Sequence, residues 1–216
     1  MKGAYMKGFI GFAVLLSMML AVGCATTGPP IWGAKADRVP LLPAGSSWVN
    51  EIRDSGSFGS GTYLSTTKSL GEQTWQGKKV YAYQSPETTA LLDAATNRWV
   101  AVLKGTTPIQ IFDPPMGWDY PLWVGKSWTQ VYKFIFPKQT FTADTKWKVE
   151  AREKIKVPAG TFEVYRVTYS DTWSENIYWW SPELGIWIKS KMERNAKHSL
   201  GVGVREAELY SYDIKK

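Results

Sequence analysis

Hydrophobic and polar positions alternate with a period of two along most of the chain after Ser46. Between Trp147 and Val157, the residues Trp147, Val149, Ala151, Ile155 and Val157 share one face, interrupted only by Glu153. Lys146, Lys148, Glu150, Arg152, Lys154 and Lys156 share the other. Successive side chains of a strand point to opposite sides, so this segment reads as a half-buried antiparallel strand, apolar inward and charged outward. Pro158-Ala159-Gly160 supplies a turn, and Thr161 to Ser170 returns as a strand rich in β-branched and aromatic residues. A further hairpin runs from Asn176 to Trp180 and back from Ile186 to Met192, turning through Ser181 to Gly185. The polar stretch Asn195 to Gly203 leads to a last strand, Arg205 to Ile214. Helical periodicity is weak throughout, and its best candidate spans Pro86 to Ala95.

The two halves of this pattern are alike. Ser47-Trp48 opens the first and Ser127-Trp128 the second. A turn at Gly77 matches one at Gly160, and the hairpin Ala90 to Leu103 matches Ile177 to Ile188. Trp99 and Trp187 then occupy matching places on the returning strands, although the offset between halves drifts from 80 to 88 residues. The expected fold class is all-β: an antiparallel β-meander curved into a half-barrel or barrel, with similar halves at 46–113 and 120–216.

The N-terminus follows a different pattern. Lys2 and Lys7 flank a short basic start, and an apolar run of about 14 residues extends from Phe9 through Val22. That run falls short of the roughly 18 to 20 residues that span a bilayer as a helix, and it has the shape of a secretory signal peptide. It ends in Ala21-Val22-Gly23-Cys24, which resembles the lipobox of bacterial lipoproteins, with Leu20 standing one place earlier than that motif favours. The resemblance implies cleavage before Cys24 and acylation of its thiol and new amine. Ala25 stands where a retention Asp would, which implies delivery to the outer membrane. Cys24 is the sole cysteine, so no intrachain disulfide can form, and acylation removes an otherwise reactive thiol. The expected organisation is a signal peptide at 1–23, a lipidated linker at 24–45 rich in Thr, Gly, Pro and Ala, and a β domain at 46–216.

Charge narrows the partners. The net charge of +7 falls to +5 once Lys2 and Lys7 are removed with the signal. No run of five like charges occurs, so a nucleic-acid face is not expected. Twelve tryptophans, beginning at Trp32 and recurring to Trp187, suit a β protein that fills its interior with large side chains. Tyr120 to Trp128, Val157 to Phe162 and Tyr178 to Gly185 carry the elements PLWVGKSW, VPAGTF and YWWSPELG. Together they resemble a broad group of uncharacterised exported bacterial proteins built from antiparallel strands. The resemblance covers roughly Tyr120 to Met192 and implies a fold, with no defined activity. Some related curved sheets resemble the half-barrels of periplasmic lipoprotein carriers, which hold acyl chains in their concavity; fold alone does not fix function.

Candidate chemistry is sparse. His198 is the one histidine, no G-x-S-x-G elbow is present, and a histidine–cysteine zinc site is excluded by count. Gly56 to Gly61 is glycine-rich but lacks the Lys-Ser/Thr ending of a phosphate loop. Asp113 and Asp119 match no calcium loop and read as turn formers. Nothing calls for a cofactor or a metal. Aromatic clusters are the remaining candidates: Trp118, Tyr120, Trp123 and Trp128 in one, and Trp173, Tyr178, Trp179 and Trp180 in the other. Trp179 and Trp180 are adjacent, so a strand sends them to opposite faces.

The expected function is that of a non-catalytic envelope lipoprotein, held at the membrane through Cys24, that binds an apolar or amphipathic ligand or an envelope partner. A glycan- or peptidoglycan-binding module is the alternative, and a hydrolase of envelope polymers the third. Replacing Cys24 with Ala should move the protein from the membrane fraction to the soluble one after cell fractionation. Persistent membrane association would contradict the lipid anchor.

Overall fold

The computed structural model describes residues 41–215, so the expectations for the signal peptide, Cys24 and most of the linker lie outside the described residues. All regular structure among these residues is strand. The chain runs through β1 (Ser47–Gly56), β2 (Gly61–Trp75), β3 (Lys78–Gln84), β4 (Thr89–Asp93), β5 (Trp99–Lys104) and β6 (Thr107–Met116). It continues through β7 (Ser127–Phe136), β8 (Gln139–Val157), β9 (Gly160–Ser170), β10 (Ser174–Trp180), β11 (Trp187–Arg194) and β12 (Gly203–Asp213). Each strand pairs antiparallel with the next, and β1 pairs with β12, so the meander closes into a twelve-stranded barrel. The two halves therefore share one continuous sheet. Hairpins matched in the sequence, such as β4–β5 and β10–β11, stand six strands apart in it.

Local chemistry explains the turns. Gln76 and Gly77 both adopt positive φ (49° and 75°), as a two-residue hairpin turn matched to strand twist requires. Asp93 ends β4 by accepting hydrogen bonds from the Ala95 and Thr96 amides at 3.1 and 2.8 Å. Pro86 to Ala95, where helical periodicity is weak but best, is turn and strand. Leu91 and Leu92 are buried and paired with neighbours on both sides, and this cross-strand pairing outweighs a weak local preference.

Bulges decide which side chains face inward. In β8 the register shifts at Glu150. Trp147 and Val149 pair with Tyr169 and Val167 on the inner face, whereas Glu153, Ile155 and Val157 pair with Val164, Phe162 and Gly160 on the opposite one. The single apolar face read from the sequence is thus two faces. The second is covered at the hairpin's end, where Val157, Phe162 and Val164 pack with Ile186, Ile188 and Leu209. The Ala159 amide fastens the hairpin tip by donating to the Leu209 carbonyl at 3.1 Å. The outward face carries ion pairs, among them Lys148 with Glu150, Arg53 with Glu51 and Lys189 with Glu208. Such a surface suits water rather than acyl chains, which a membrane-spanning barrel meets with an apolar band.

The seam between the first and last strands is tight. β1 and β12 form a ladder from Ser47↔Asp213 to Gly56↔Gly203. A Cβ on Gly203 would lie 2.7 Å from the Ser57 amide nitrogen and 2.9 Å from the Ser55 carbonyl oxygen. Gly203→Ala should therefore cost about 2 kcal/mol through overpacking against backbone. Urea denaturation followed by tryptophan emission should show the lower midpoint, and an unchanged midpoint would mean the seam yields freely.

Candidate functional site

Among the described residues, a cavity lies toward each end of the barrel. The larger measures about 750 Å³ and opens at the end formed by the β7–β8, β9–β10 and β11–β12 connections. The smaller, about 270 Å³, lies at the other end, where Leu42, Trp48 and Tyr83 line it. Trp99, Trp118, Trp187 and Ser190 line both. Between the cavities, Trp99 and Trp187 stack at 6.0 Å with planes 7° apart, so the residues matched in the two halves of the sequence meet in the lumen.

The β6–β7 connection completes this partition. Trp118 enters the core and touches Trp147, Tyr178 and Trp180 at ring distances of 5.6, 6.0 and 6.3 Å. Lys126, itself buried, holds the connection in place. Its ammonium donates to the carbonyls of Asp119 and, at 3.0 Å, Pro121, and pairs with the Asp119 carboxylate at 2.9 Å. It also lies 4.7 Å from the Trp123 ring. Arg98 adds a bond to the Trp118 carbonyl at 3.1 Å. Asp119 is thus a loop anchor within this connection.

The wall of the larger cavity is built by cross-strand pairs. Ser174, Asn176 and Tyr178 of β10 stand opposite Arg194, Met192 and Ser190 of β11, and all six line it. Phe134 and Phe136 of β7 and Phe141 of β8 face them. Charge lies near the mouth beside Phe136, Phe141 and Trp173, and along β10 and β11 the rings of Tyr178 and Trp187 lie deeper. Burial pushes the hydroxyls of Tyr169 and Tyr178 up, so both stay neutral at physiological pH. Tyr169 donates to Asp171 at 2.6 Å and meets the Tyr132 hydroxyl at 3.2 Å. The other Asp171 oxygen accepts from the Trp173 and Ser174 amides, each at 2.7 Å. His198 also lines the mouth; burial, and then the Arg194 charge, hold it below its ordinary value. Its Nδ1 accepts from the Leu200 amide at 3.1 Å, a turn contact. Among the described residues no three metal-ligating side chains come together.

The aromatic residues singled out in the sequence are dispersed. Trp118 and Tyr178 line the larger cavity, and Trp118 and Trp180 the smaller. Trp128 stacks on Trp147 at 5.5 Å and supports the partition from behind. Tyr120 packs edge-on against Trp180 at 5.9 Å, and Trp123 meets Lys126. Trp179 and Trp180 do take opposite faces. Trp180 is inside, while Trp179 donates to Glu153 at 2.9 Å under the Lys189 ammonium, so the β8–β9 hairpin is what it meets. The sequence reading missed Trp99, Phe134, Phe136, Phe141, Trp187 and Met192 as cavity walls. The alternation Tyr132, Phe134, Phe136 was the available signal, because three aromatics at a period of two mark one face of a strand.

No protein-family model matches the chain, and no curated protein matches it in sequence. Solved structures do. A candidate lipoprotein of Parabacteroides distasonis matches with 12% identity over 82% of this chain and 100% of that one, at a TM-score of 0.41. A candidate exported protein with a YmcC-like fold from Bacteroides fragilis matches with 10% identity over 82% and 100%, at 0.47. The hypothetical lipoprotein YmcC of Escherichia coli matches with 12% identity over 80% and 89%, at 0.42.

The partition depends on Lys126. Lys126→Met leaves two carbonyls without their donor and one carboxylate without its closest cation, and the partly exposed Asp119 softens the loss. The expected cost is about 2 kcal/mol, a fall of roughly 4–8 °C in Tm for a domain of this size. Thermal denaturation checks it, and a Tm within a degree of the parent would remove Lys126 from the account.

Proposed function

We propose that this protein is a non-catalytic, lipid-anchored component of the bacterial envelope, delivered to the outer membrane, whose barrel holds an apolar or amphipathic ligand. The observation that carries the reading is the cavity of about 750 Å³ walled by aromatic side chains. Its size lies within the roughly 300–1,000 Å³ of pockets for small ligands, and its composition, apolar walls with a few convergent polar groups, is theirs as well. Trp99, Phe134, Phe136 and Trp187 are half-buried because they border this space. Aromatic surface left facing a cavity is stabilised by any apolar occupant that displaces water from it. The motif at Cys24 supports the anchor.

A glycan module would present tryptophan to solvent as a stacking platform. Among the described residues every tryptophan is buried or half-buried. Hydrolysis of a polymer by paired carboxylates needs two in one cleft. Asp171 is the carboxylate in the lining of the larger cavity, and its oxygens are engaged by Tyr169 and two backbone amides. Both observations favour binding of a small ligand.

An uncharged fluorescent probe, N-phenyl-1-naphthylamine, tests the reading on the full protein. Its emission should rise and saturate near one probe per barrel. Ser190→Trp, which places a large ring where both cavities meet, should weaken binding about tenfold with the strand signal in far-UV circular dichroism retained. Emission that never saturates, or that is indifferent to Ser190→Trp in a folded protein, would contradict a lumenal site.

A further inference from the structure

The mouth of the larger cavity is unequally charged. Arg194, Lys197 and Arg205 contribute to its lining, against one carboxylate, Asp171. Arg205 is already matched: its guanidinium holds Asp54 through two bonds of 2.7 Å, and the Tyr63 hydroxyl adds a third contact to that carboxylate at 3.1 Å. Asp171 is committed to Tyr169 and the turn amides.

Arg194 differs. Phe58 stacks on its guanidinium with the ring centroid at 3.6 Å, which fixes the plane of the group. Its Nη1 donates to the Ser57 carbonyl and hydroxyl, both at 3.3 Å. Its Nε–H and Nη2–H groups have no protein acceptor among the described residues, and no carboxylate pairs with it there. An arginine presents those two groups as a planar fork that fits the two oxygens of a carboxylate or phosphate. Stacking on Phe58 and the Ser57 bonds supply the preorganisation that such a fork needs.

A second group points the same way. Asn176 is almost fully buried and lines the same cavity, one cross-strand pair deeper than Arg194. Its Nδ2 donates to the Ser174 hydroxyl at 3.1 Å, but its Oδ1 is buried without a partner. A buried carbonyl oxygen left unpaired is costly, and a donor arriving with an occupant relieves that cost. Deeper still are Tyr178, Trp187 and Trp99. Along β10 and β11, from mouth to floor, the wall therefore runs from cation, through an unsatisfied acceptor, to aromatic rings.

We propose that the ligand is a single-chain amphiphile with an oxyanion head, a carboxylate or a phosphate, which Arg194 binds at the mouth while the chain lies against the aromatic floor. The proposal rests on the reading of the barrel as a ligand carrier and adds the head group and its orientation. A hydroxyl or amide near the head fits the free Asn176 acceptor.

The experiment uses 9,10-dibromostearate and its uncharged counterpart, 9,10-dibromo-octadecanol, below their aggregation concentrations. Bromine quenches tryptophan on contact, so chain insertion beside Trp99 and Trp187 is read directly. The acid should bind about tenfold more tightly than the alcohol at neutral pH. Arg194→Met should abolish that preference and change the alcohol's affinity by less than about twofold. Competition by hexadecyl phosphate against hexadecanoate then distinguishes the two oxyanions, and preference for either supports the proposal. Equal binding of acid and alcohol, or a preference that survives Arg194→Met, overturns the head-group assignment and leaves the lumenal site standing. Absence of quenching by both probes overturns the ligand-carrier reading itself.

Discussion

Closing twelve antiparallel strands into a ring encloses more space than side chains fill. A barrel of about eight strands is just wide enough for its interior residues to meet, and wider rings leave a lumen. That geometric surplus governs the rest of this molecule. It accounts for tryptophan, tyrosine and phenylalanine on inward positions of most strands. It also accounts for the β6–β7 connection, which sends Trp118 into the lumen and holds it there through Lys126 and Arg98. Even so, the interior is divided rather than filled, and the larger part of the surplus persists as a cavity.

The strand pattern was legible because alternation and turn chemistry are local. Nearly every hairpin expected from the sequence is present, and its turn residues do what their types require. Which face each strand turns inward was only partly legible, because bulges reset it. From Trp187, strict alternation would send Lys189 and Lys191 inward. The register shift beside Trp180 instead places Ser190, Met192 and Arg194 on the cavity wall. The same device at Glu150 turned one apparent apolar face of β8 into two. A bulge has no dependable sequence signature, so Arg194 could not be assigned to a site from the chain alone. A barrel was one of the two expected forms, and the choice between it and a half-barrel was not legible, since it depends on pairing two strands separated by nearly the whole domain.

Trp179 and Trp180 show how a correct local inference can lead to an incomplete one. Their opposition follows from strand geometry and holds. What covers the outward ring is a matter of long-range packing: the extended β8–β9 hairpin brings Glu153 to Trp179 and so half-buries it. Most of the aromatic content behaves in this way, serving as wall, partition or buttress. Among the described residues lining the larger cavity, the polar groups left uncommitted include Asn176 Oδ1 and one edge of the Arg194 guanidinium, both close to the mouth.

The pairing of β1 with β12 has a consequence for how the molecule comes into being. A chain made from its N-terminus presents β1 first, and the strand that completes its ladder last. Until Gly203 to Asp213 arrives, two unpaired edges stand open, the kind of surface that recruits other strands. Truncation near the C-terminus therefore leaves the edges of β1 and β11 unpaired rather than giving a slightly shorter barrel. Every earlier hairpin can form on local contacts, but protection from aggregation is all-or-none and comes with the final eleven-residue strand.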